Sequence, residues 1–360
     1  MRTEVTESLS EIIEKIGPLD KAAMAEAKAR QNTLTKPEGS LGRLEDLSIQ
    51  LAGIQGRRLP RIKEKAIVTM AADHGVVAEG VSAYPQDVTP QMVYNFLGGG
   101  AGVNVIARQV GARLVIVDIG VAATLAANPR LLSRKVARGT RNMAAGPAMS
   151  EEEAKQAIET GIEVTIAEVS KGLDIIGTGD MGIGNTTASS AICAVMTGRP
   201  VAEVTGRGTG IADKQLEHKI GVIERAIAVN NPEPAKPLEV LAKVGGLEIG
   251  GITGVILAAA AHHVPVVIDG FISGAAALIA AALAPGVKDF LIAGHVSIEP
   301  GHRLLLEHLS LKPLLDLGMR LGEGTGAALG ISLAETAARI LNEMATFTDA
   351  GVSGRSEAEN

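Results

Sequence analysis

The sequence predicts an α/β fold in which a parallel sheet carries helices on both faces. Short β-branched runs recur along the chain at residues 66–71, 113–118, 173–177, 265–268 and 289–293. Each run is followed by a turn and then a helical segment, and strands that alternate with helices pack as a parallel sheet covered on both sides. Hydrophobic residues make up 46% of the 360 residues, enough to bury a large core and too many for a disordered chain.

Two helices come before any strand. Apolar residues at Leu9, Ile12, Ile13 and Ile16 follow helical spacing, and a second periodic run covers 19–30. Further along, Ser150 with Glu153 three residues later is a capping box that opens a helix running to about Val169. Pro200, Pro232 and Pro285 mark breaks, and a last helix covers about 326–344. The polar tail at 353–360 is expected to fray. Residues 249–267 form the longest apolar stretch, but it holds His262, His263 and Pro265 and runs into Asp269. A membrane-spanning helix needs about 20 apolar residues without such breaks.

Composition narrows the functions. Lys and Arg number 34 against 40 Asp and Glu, a net charge of −6 with no dense basic block, which argues against nucleic acid as a partner. The single cysteine, Cys193, cannot form an intrachain disulfide, and the first residues carry mixed charge with no signal-like pattern, so a cytoplasmic protein is expected. Glycine is abundant at 43 residues, while Phe, Tyr and Trp number 4, 2 and 0. An aliphatic core and glycine-built loops follow.

Polar residues and glycines collect where the runs end: Asp73-His74-Gly75, Asp118-Ile119-Gly120, Gly177 to Asp180, Asp269-Gly270 and Gly294-His295. In open parallel sheets that edge is where ligands bind, because loops converge there and helices aim their N-termini at it. Three glycine-rich stretches stand out. Residues 177–192, GTGDMGIGNTTASSAI, read either as an anion cradle of backbone N–H groups or as a tight strand-to-helix turn capped by Asn185. They match neither the Walker nor the dinucleotide spacing. The second stretch has Gly206, Gly208 and Gly210 before a helix bearing Lys219, which reads as a cation over a ligand or as a solvated surface lysine. In the third, Glu323 sits between Gly322 and Gly324, either a general base raised in pKa by apolar neighbours or a helix-entry charge on the dipole. His74, His295 and His302 lack metal-ligand spacing, Ser189 and Ser190 do not form a nucleophile elbow, and Cys193 reads as core.

Seven segments taken together carry a family resemblance: KPEGSLGRLEDL (36–47), ADHGV (72–76), YPQDVT (84–89), GTGDMGIGNTT (177–187), KVGGLEIGGITGVILAAA (243–260), DGFISGAAAL (269–278) and MRLGEGTGAALG (319–330). In this order they resemble the nicotinate-nucleotide–dimethylbenzimidazole phosphoribosyltransferase family over about residues 30–345. The resemblance implies a three-layer Rossmann-like parallel sheet domain at 61–334, a small helical domain built from both chain ends (1–60 plus 335–360) and a homodimer. It also implies transfer of phosphoribosyl from nicotinate mononucleotide to 5,6-dimethylbenzimidazole, giving α-ribazole 5′-phosphate and nicotinate for the lower ligand of cobalamin, without metal or other cofactor.

By the same resemblance, Glu323 is the base and Lys219 the cation near the reacting centre. Gly182, Gly184, Asn185, Thr186, Gly206, Gly208 and Arg320 surround phosphate and ribose, and Tyr84, Met92, Asp180, Met181 and Leu321 line the acceptor pocket. With Tyr84 the one aromatic residue expected there, the acceptor should be gripped by aliphatic, Met and Gly surfaces. A dehydrogenase is disfavoured because the dinucleotide fingerprint is missing at the first strand. A non-catalytic nucleotide-binding protein is the other alternative.

Overall fold

Strand β1 (Lys65–Ala72) is buried along its whole length, as a central strand covered on both faces must be. Its side chains divide by period two. Ala66, Val68, Met70 and Ala72 enter one hydrophobic cluster, while Ile67 and Ala71 enter another on the opposite face. A computed structural model describes residues 7–354. Before β1 lie α1 (Leu9–Lys15), α2 (Lys21–Thr33) and α3 (Arg43–Gln55). After it come α4 (Val88–Gly98), α5 (Gly102–Val110), β2 (Arg113–Gly120), β3 (Leu131–Ser133), α6 (Glu151–Val169) and β4 (Ile175–Met181). The second half continues with α7 (Asn185–Thr197), α8 (Val201–Val204), α9 (Asp213–Asn230), α10 (Pro237–Val244), α11 (Leu247–Ala261) and β5 (Val266–Ile268). It ends with α12 (Phe271–Leu283), β6 (Leu291–Ala293), α13 (Pro300–Leu309), α14 (Thr325–Glu343) and α15 (Phe347–Ala350).

The strands form one sheet in the order β3-β2-β1-β4-β5-β6, every neighbouring pair parallel. This is the doubly wound order, in which the chain works outward from β1 and then returns beside it at β4. Loops leaving β1 and β4 therefore diverge and open a crevice at their carboxyl ends. Helices α6 and α11 cover one face, and α14, α5 and α3 the other.

Glycine lets the layers approach. A Cβ on Gly161 would lie 1.9 Å from the carbonyl oxygen of Gly251, and one on Gly254 would lie 1.9 Å from that of Ile158, so α6 and α11 touch backbone to backbone. Every residue of α11 is buried, and all but Glu248 and Thr253 are apolar or glycine, as a helix enclosed on all sides requires, which accounts for the long apolar stretch in the sequence. No helix among the described residues is long and apolar enough to cross a membrane.

At the chain ends, Ala27 of α2, Ala52 of α3 and Leu341 of α14 share a small apolar cluster. Arg30 Nε donates to the Leu341 carbonyl at 2.6 Å, and Leu34 bridges Thr346. Helix α1 packs elsewhere, on α11 and α6.

Differences from the sequence reading are local. Strand β3 has three residues, too short to show a period, and was not anticipated. Expected strand 173–177 starts later and continues through Gly179 to Met181, because α14 presses on it. A Cβ at Gly177 would meet Ala327 and Ile331 at 3.2 Å, so the end of the expected run lies under a helix, and Gly179 beyond it is a strand residue as well. Asp289 and Phe290 belong to a 3-10 turn before β6. Of the expected tail 353–360, residues 355–360 lie outside the described residues.

Candidate active site

A cavity of about 720 Å³ opens at the carboxyl edge of the sheet, within the range of small-molecule sites. Its floor is the turn from β4 into α7. A Cβ at Gly182 would lie 2.3 Å from the Ala72 carbonyl oxygen, so only glycine lets this turn sit on β1. Gly184 takes φ +95° at the N-cap of α7, and the positive dipole end of that helix meets the cavity at Gly184, Asn185 and Thr186, although the Asn185 and Thr187 N–H groups already donate to the Gly182 and Gly184 carbonyls. Asn185, expected as a possible cap, is instead the first helical residue. Its Nδ2 donates to Asp180 Oδ2 at 2.9 Å, which fixes the turn to the end of β4.

Behind this floor stands Lys219. It is 1% exposed, and its Nζ donates to Thr186 Oγ1 at 2.8 Å and to the Gly206 carbonyl at 3.3 Å. The solvated-lysine reading is thus wrong: the second turn of α9 tucks the side chain under the 206–210 loop. Burial pulls its pKa down to about 8, against an opposing pull from Glu299. Thr186 and Gly208 line the cavity, while Lys219 and Gly206 form its outer support. A Cβ on Gly206 would lie 2.0 Å from Glu299 Oε2. Gly208 is gripped twice, its N–H donating to Glu299 Oε1 at 3.0 Å and its carbonyl accepting from Arg320 Nη1 at 3.0 Å.

Glu323 faces the same space from the opposite wall. It has φ +66°, between Gly322 at +78° and Gly324 at +103°, a left-handed conformation that costs a non-glycine residue of order 1 kcal/mol or more. Helix α14 starts two residues later, at Thr325, so Glu323 belongs to the turn and is not a helix-entry charge. The turn is held by Thr69 Oγ1, which donates to the Glu323 carbonyl at 2.9 Å. The side chain is 5% exposed, and Oε2 accepts from the Val103 N–H at 3.4 Å. Burial raises its pKa above the usual carboxylate value; the Val103 hydrogen bond opposes the rise and the charge of Asp269 adds to it.

Asp180 is buried nearby. Its pKa stands well above the ordinary value, first through burial and then through the charges of Asp269 and Glu248, with Asn185 opposing and Glu323 adding. Tyr84 and Leu321 sit on the rim, 54% and 60% exposed, with Met92 and Met181 half-buried in the wall beside them. Of the site residues that the family resemblance implies, all but Lys219 and Gly206 line one cavity.

Several residues here were not singled out as a site. Phe271 and His295 line the cavity, which revises the expectation that Tyr84 is its one aromatic group. Glu299 was overlooked because Glu before Pro300 reads as an ordinary helix entry. His74 packs against the Gly182–Gly184 turn with Nε2 at 2.6 Å from Glu248 Oε1; burial would lower its pKa, but that carboxylate prevails and raises it. Asp73-His74 and Asp269 were visible as strand ends without an assigned task. Among the described residues no group of three or more His, Cys, Asp or Glu is placed to hold a metal ion. Cys193 is buried, its thiol pushed up to about 12 mainly by burial.

The arrangement suits an anionic ester on backbone N–H groups at one wall and proton transfer at the other. A family model described as Phosphoribosyltransferase matches residues 16–352. The chain belongs to this family. As a phosphoribosyltransferase it is 63% identical over 345 residues to the nicotinate-nucleotide–dimethylbenzimidazole phosphoribosyltransferase of Desulforudis audaxviator (strain MP104C), covering 96% of this chain and 98% of that one. It is 61% identical to the enzyme of the same name from Roseiflexus sp. (strain RS-1), over 97% and 99% of the two chains. Among solved structures, CobT from Thermus thermophilus superposes with a TM-score of 0.89 at 50% identity, over 92% of this phosphoribosyltransferase and 99% of CobT.

Proposed function

We propose that the protein transfers the phosphoribosyl group of nicotinate mononucleotide to 5,6-dimethylbenzimidazole, releasing nicotinate and giving α-ribazole 5′-phosphate for the lower ligand of cobalamin. The observation that carries this reading is the pairing, across one cavity, of a backbone cradle at Gly182–Thr186 with the buried Glu323. In this reading the 5′-phosphate rests on the start of α7, with Gly208 and Arg320 beside the ribose. Lys219 supplies a positive charge through Thr186. The acceptor enters past Tyr84, Met92 and Leu321 and stacks over Asp180, Met181 and Phe271.

Glu323 takes the N–H proton of the benzimidazole. The deprotonated ring then presents its other nitrogen to C1′, and as that bond forms the bond from C1′ to the nicotinate nitrogen breaks, its electron pair neutralising the pyridinium. Attack from the face opposite nicotinate inverts the β-nucleotide to an α-product. Alignment supplies most of the acceleration, since the two substrates become one ordered complex. A base whose pKa is raised toward neutrality accepts the proton more readily.

The reading extends to a cytoplasmic homodimer and to a division into a helical unit of 1–60 plus 335–360 and an α/β unit of 61–334, supported by the shared cluster of Ala27, Ala52 and Leu341. Incubation with nicotinate mononucleotide and a panel of bases, with products read by mass and chromatography, tests the activity. Glu323→Gln should lower turnover by about 10²–10⁴-fold with nucleotide binding kept, the usual size of a general-base contribution. Unchanged turnover would remove Glu323 from the chemistry. Nucleotide binding without nicotinate release would leave a binding protein.

A further inference from the structure

Asp269 follows β5 and is fully buried, and it does not line the cavity. Its carboxylate accepts three backbone N–H groups from the turn that follows Glu323. Oδ2 takes Gly324 N at 3.0 Å, and Oδ1 takes Gly326 N at 2.6 Å and Ala327 N at 3.0 Å. Those are donors left open by the start of α14, so one carboxylate both caps that helix and ties down the turn carrying Glu323. The other hold on the turn comes from Thr69 Oγ1 at the Glu323 carbonyl. Gly326 has no room for a side chain, since a Cβ would lie 1.9 Å from the His295 ring, whose Nε2 is 3.7 Å from Asp269 Oδ1.

We infer that Asp269 is the positioning residue for Glu323, fixing its left-handed turn through three N–H bonds and facing its carboxylate with a second negative charge. The inference rests on Glu323 being the base of the proposed reaction. Two consequences follow. The geometry sets where the Glu323 oxygens meet the acceptor proton. The charge keeps Glu323 readier to accept that proton, since a nearby anion disfavours ionisation. Three N–H donors favour the ionised form of Asp269 itself, although burial raises its pKa, with His295 and the three N–H groups opposing. The other titratable or charged groups around Glu323 are Asp180 at the end of β4, Glu248 of α11 beside Asp180, His295 after β6 and Arg320 on its own loop. Asp269 is the carboxylate whose charge acts on Glu323 while its oxygens hold the N–H groups of Gly324, Gly326 and Ala327 just after it.

Asp269→Asn removes the charge and one of the acceptor oxygens while keeping shape. Its turnover should fall on the order of 10²-fold, as for a reacting group displaced by about 1 Å, with the KM for nicotinate mononucleotide changed little. The acid limb of its kcat profile should move to lower pH, because Glu323 without the neighbouring charge ionises earlier. The Asp269→Asn, Glu323→Gln double variant should be no slower than Glu323→Gln, since a residue acting through another adds nothing once the other is gone. Losses that multiply, or an acid limb that stays in place, would overturn the inference. So would slow turnover in Asp269→Asn if Glu323→Gln alone is fast, and that last result also removes the base assignment. Asp269→Ser, smaller and uncharged, is the second variant. Failure of both to fold would assign Asp269 to stability and overturn the role proposed here.

Discussion

Replacing Gly179 by alanine tests how finely the proposed base must be placed. Gly179 lies in β4 directly beneath the Glu323 turn, and a Cβ there would stand 2.2 Å from the Glu323 carbonyl oxygen, 2.6 Å from its carbonyl carbon and 2.8 Å from Gly324 N. Carbon–oxygen contacts settle at about 3.3–3.6 Å, so the turn must retreat by roughly 1 Å. Strand β4 is held at this point by its pairing with β1, Gly179 lying opposite Thr69. A misplacement of about 1 Å costs on the order of 10²-fold in rate, about 2.7 kcal/mol of barrier, and overpacking the core costs a further ~1–3 kcal/mol of stability. Gly179 is not at positive φ, so the whole effect is steric. Steady-state turnover with nicotinate mononucleotide and dimethylbenzimidazole, paired with calorimetric binding of the nucleotide, separates the two losses. Turnover should collapse while nucleotide affinity stays within a few-fold, since the Gly182–Thr186 cradle is not touched. A folded Gly179→Ala protein turning over within about threefold of the parent would refute the requirement for this placement.

Two further outcomes concern pH. Lys219 has its pKa lowered from 10.5 to about 8 by burial, so its positive charge is present below that pH and lost above it; kcat/KM should fall as pH rises past about 8, and Lys219→Arg, charged throughout, should move that limb to higher pH. Identical alkaline limbs would place Lys219 outside nucleotide binding. Asp180 has a folded pKa well above 3.8, so its folded form binds the proton more tightly than the unfolded chain does. Its contribution to stability is full below the unfolded pKa and is lost as pH rises through the folded one. Asp180→Asn should therefore melt higher than the parent near neutral pH, with the gain shrinking toward pH ~4; a gain that grows on acidification would contradict the sign.

Much of the fold was legible because its signals are local. Short β-branched runs and the Ser150 capping box give β1, β2 and α6 without knowledge of any partner, and glycine clustered after strands marks the binding edge. What was not legible depends on what lies across the gap. Gly179 read as part of a turn because the sequence does not show the Glu323 turn lying on it. Lys219 could not be told from a solvated surface lysine by its chemistry alone, because its burial is made by the 206–210 loop folding back over α9. Asp269 was given no task and Glu299 escaped notice for the same reason: their partners are backbone N–H groups of segments far along the chain, and a hydrogen bond to a backbone leaves no mark on residue type. The site residues named from family resemblance meet at one cavity, whereas chemistry alone left Glu323, Lys219 and the 177–192 turn each with two readings.

Helix α14 begins at the Glu323 turn and ends in the cluster that Leu341 shares with Ala27 and Ala52. Its 19 residues span about 28 Å at 1.5 Å each, and a packed helix of that length moves as a rod. A tilt of a few degrees pivoted at the α2 and α3 end displaces the other end by an ångström or more, the same scale on which the reaction is decided. Helices α2 and α3 thus hold the far end of a pointer whose tip is the carboxylate proposed as the base. A substitution in that cluster can leave the melting temperature alone while detuning the rate.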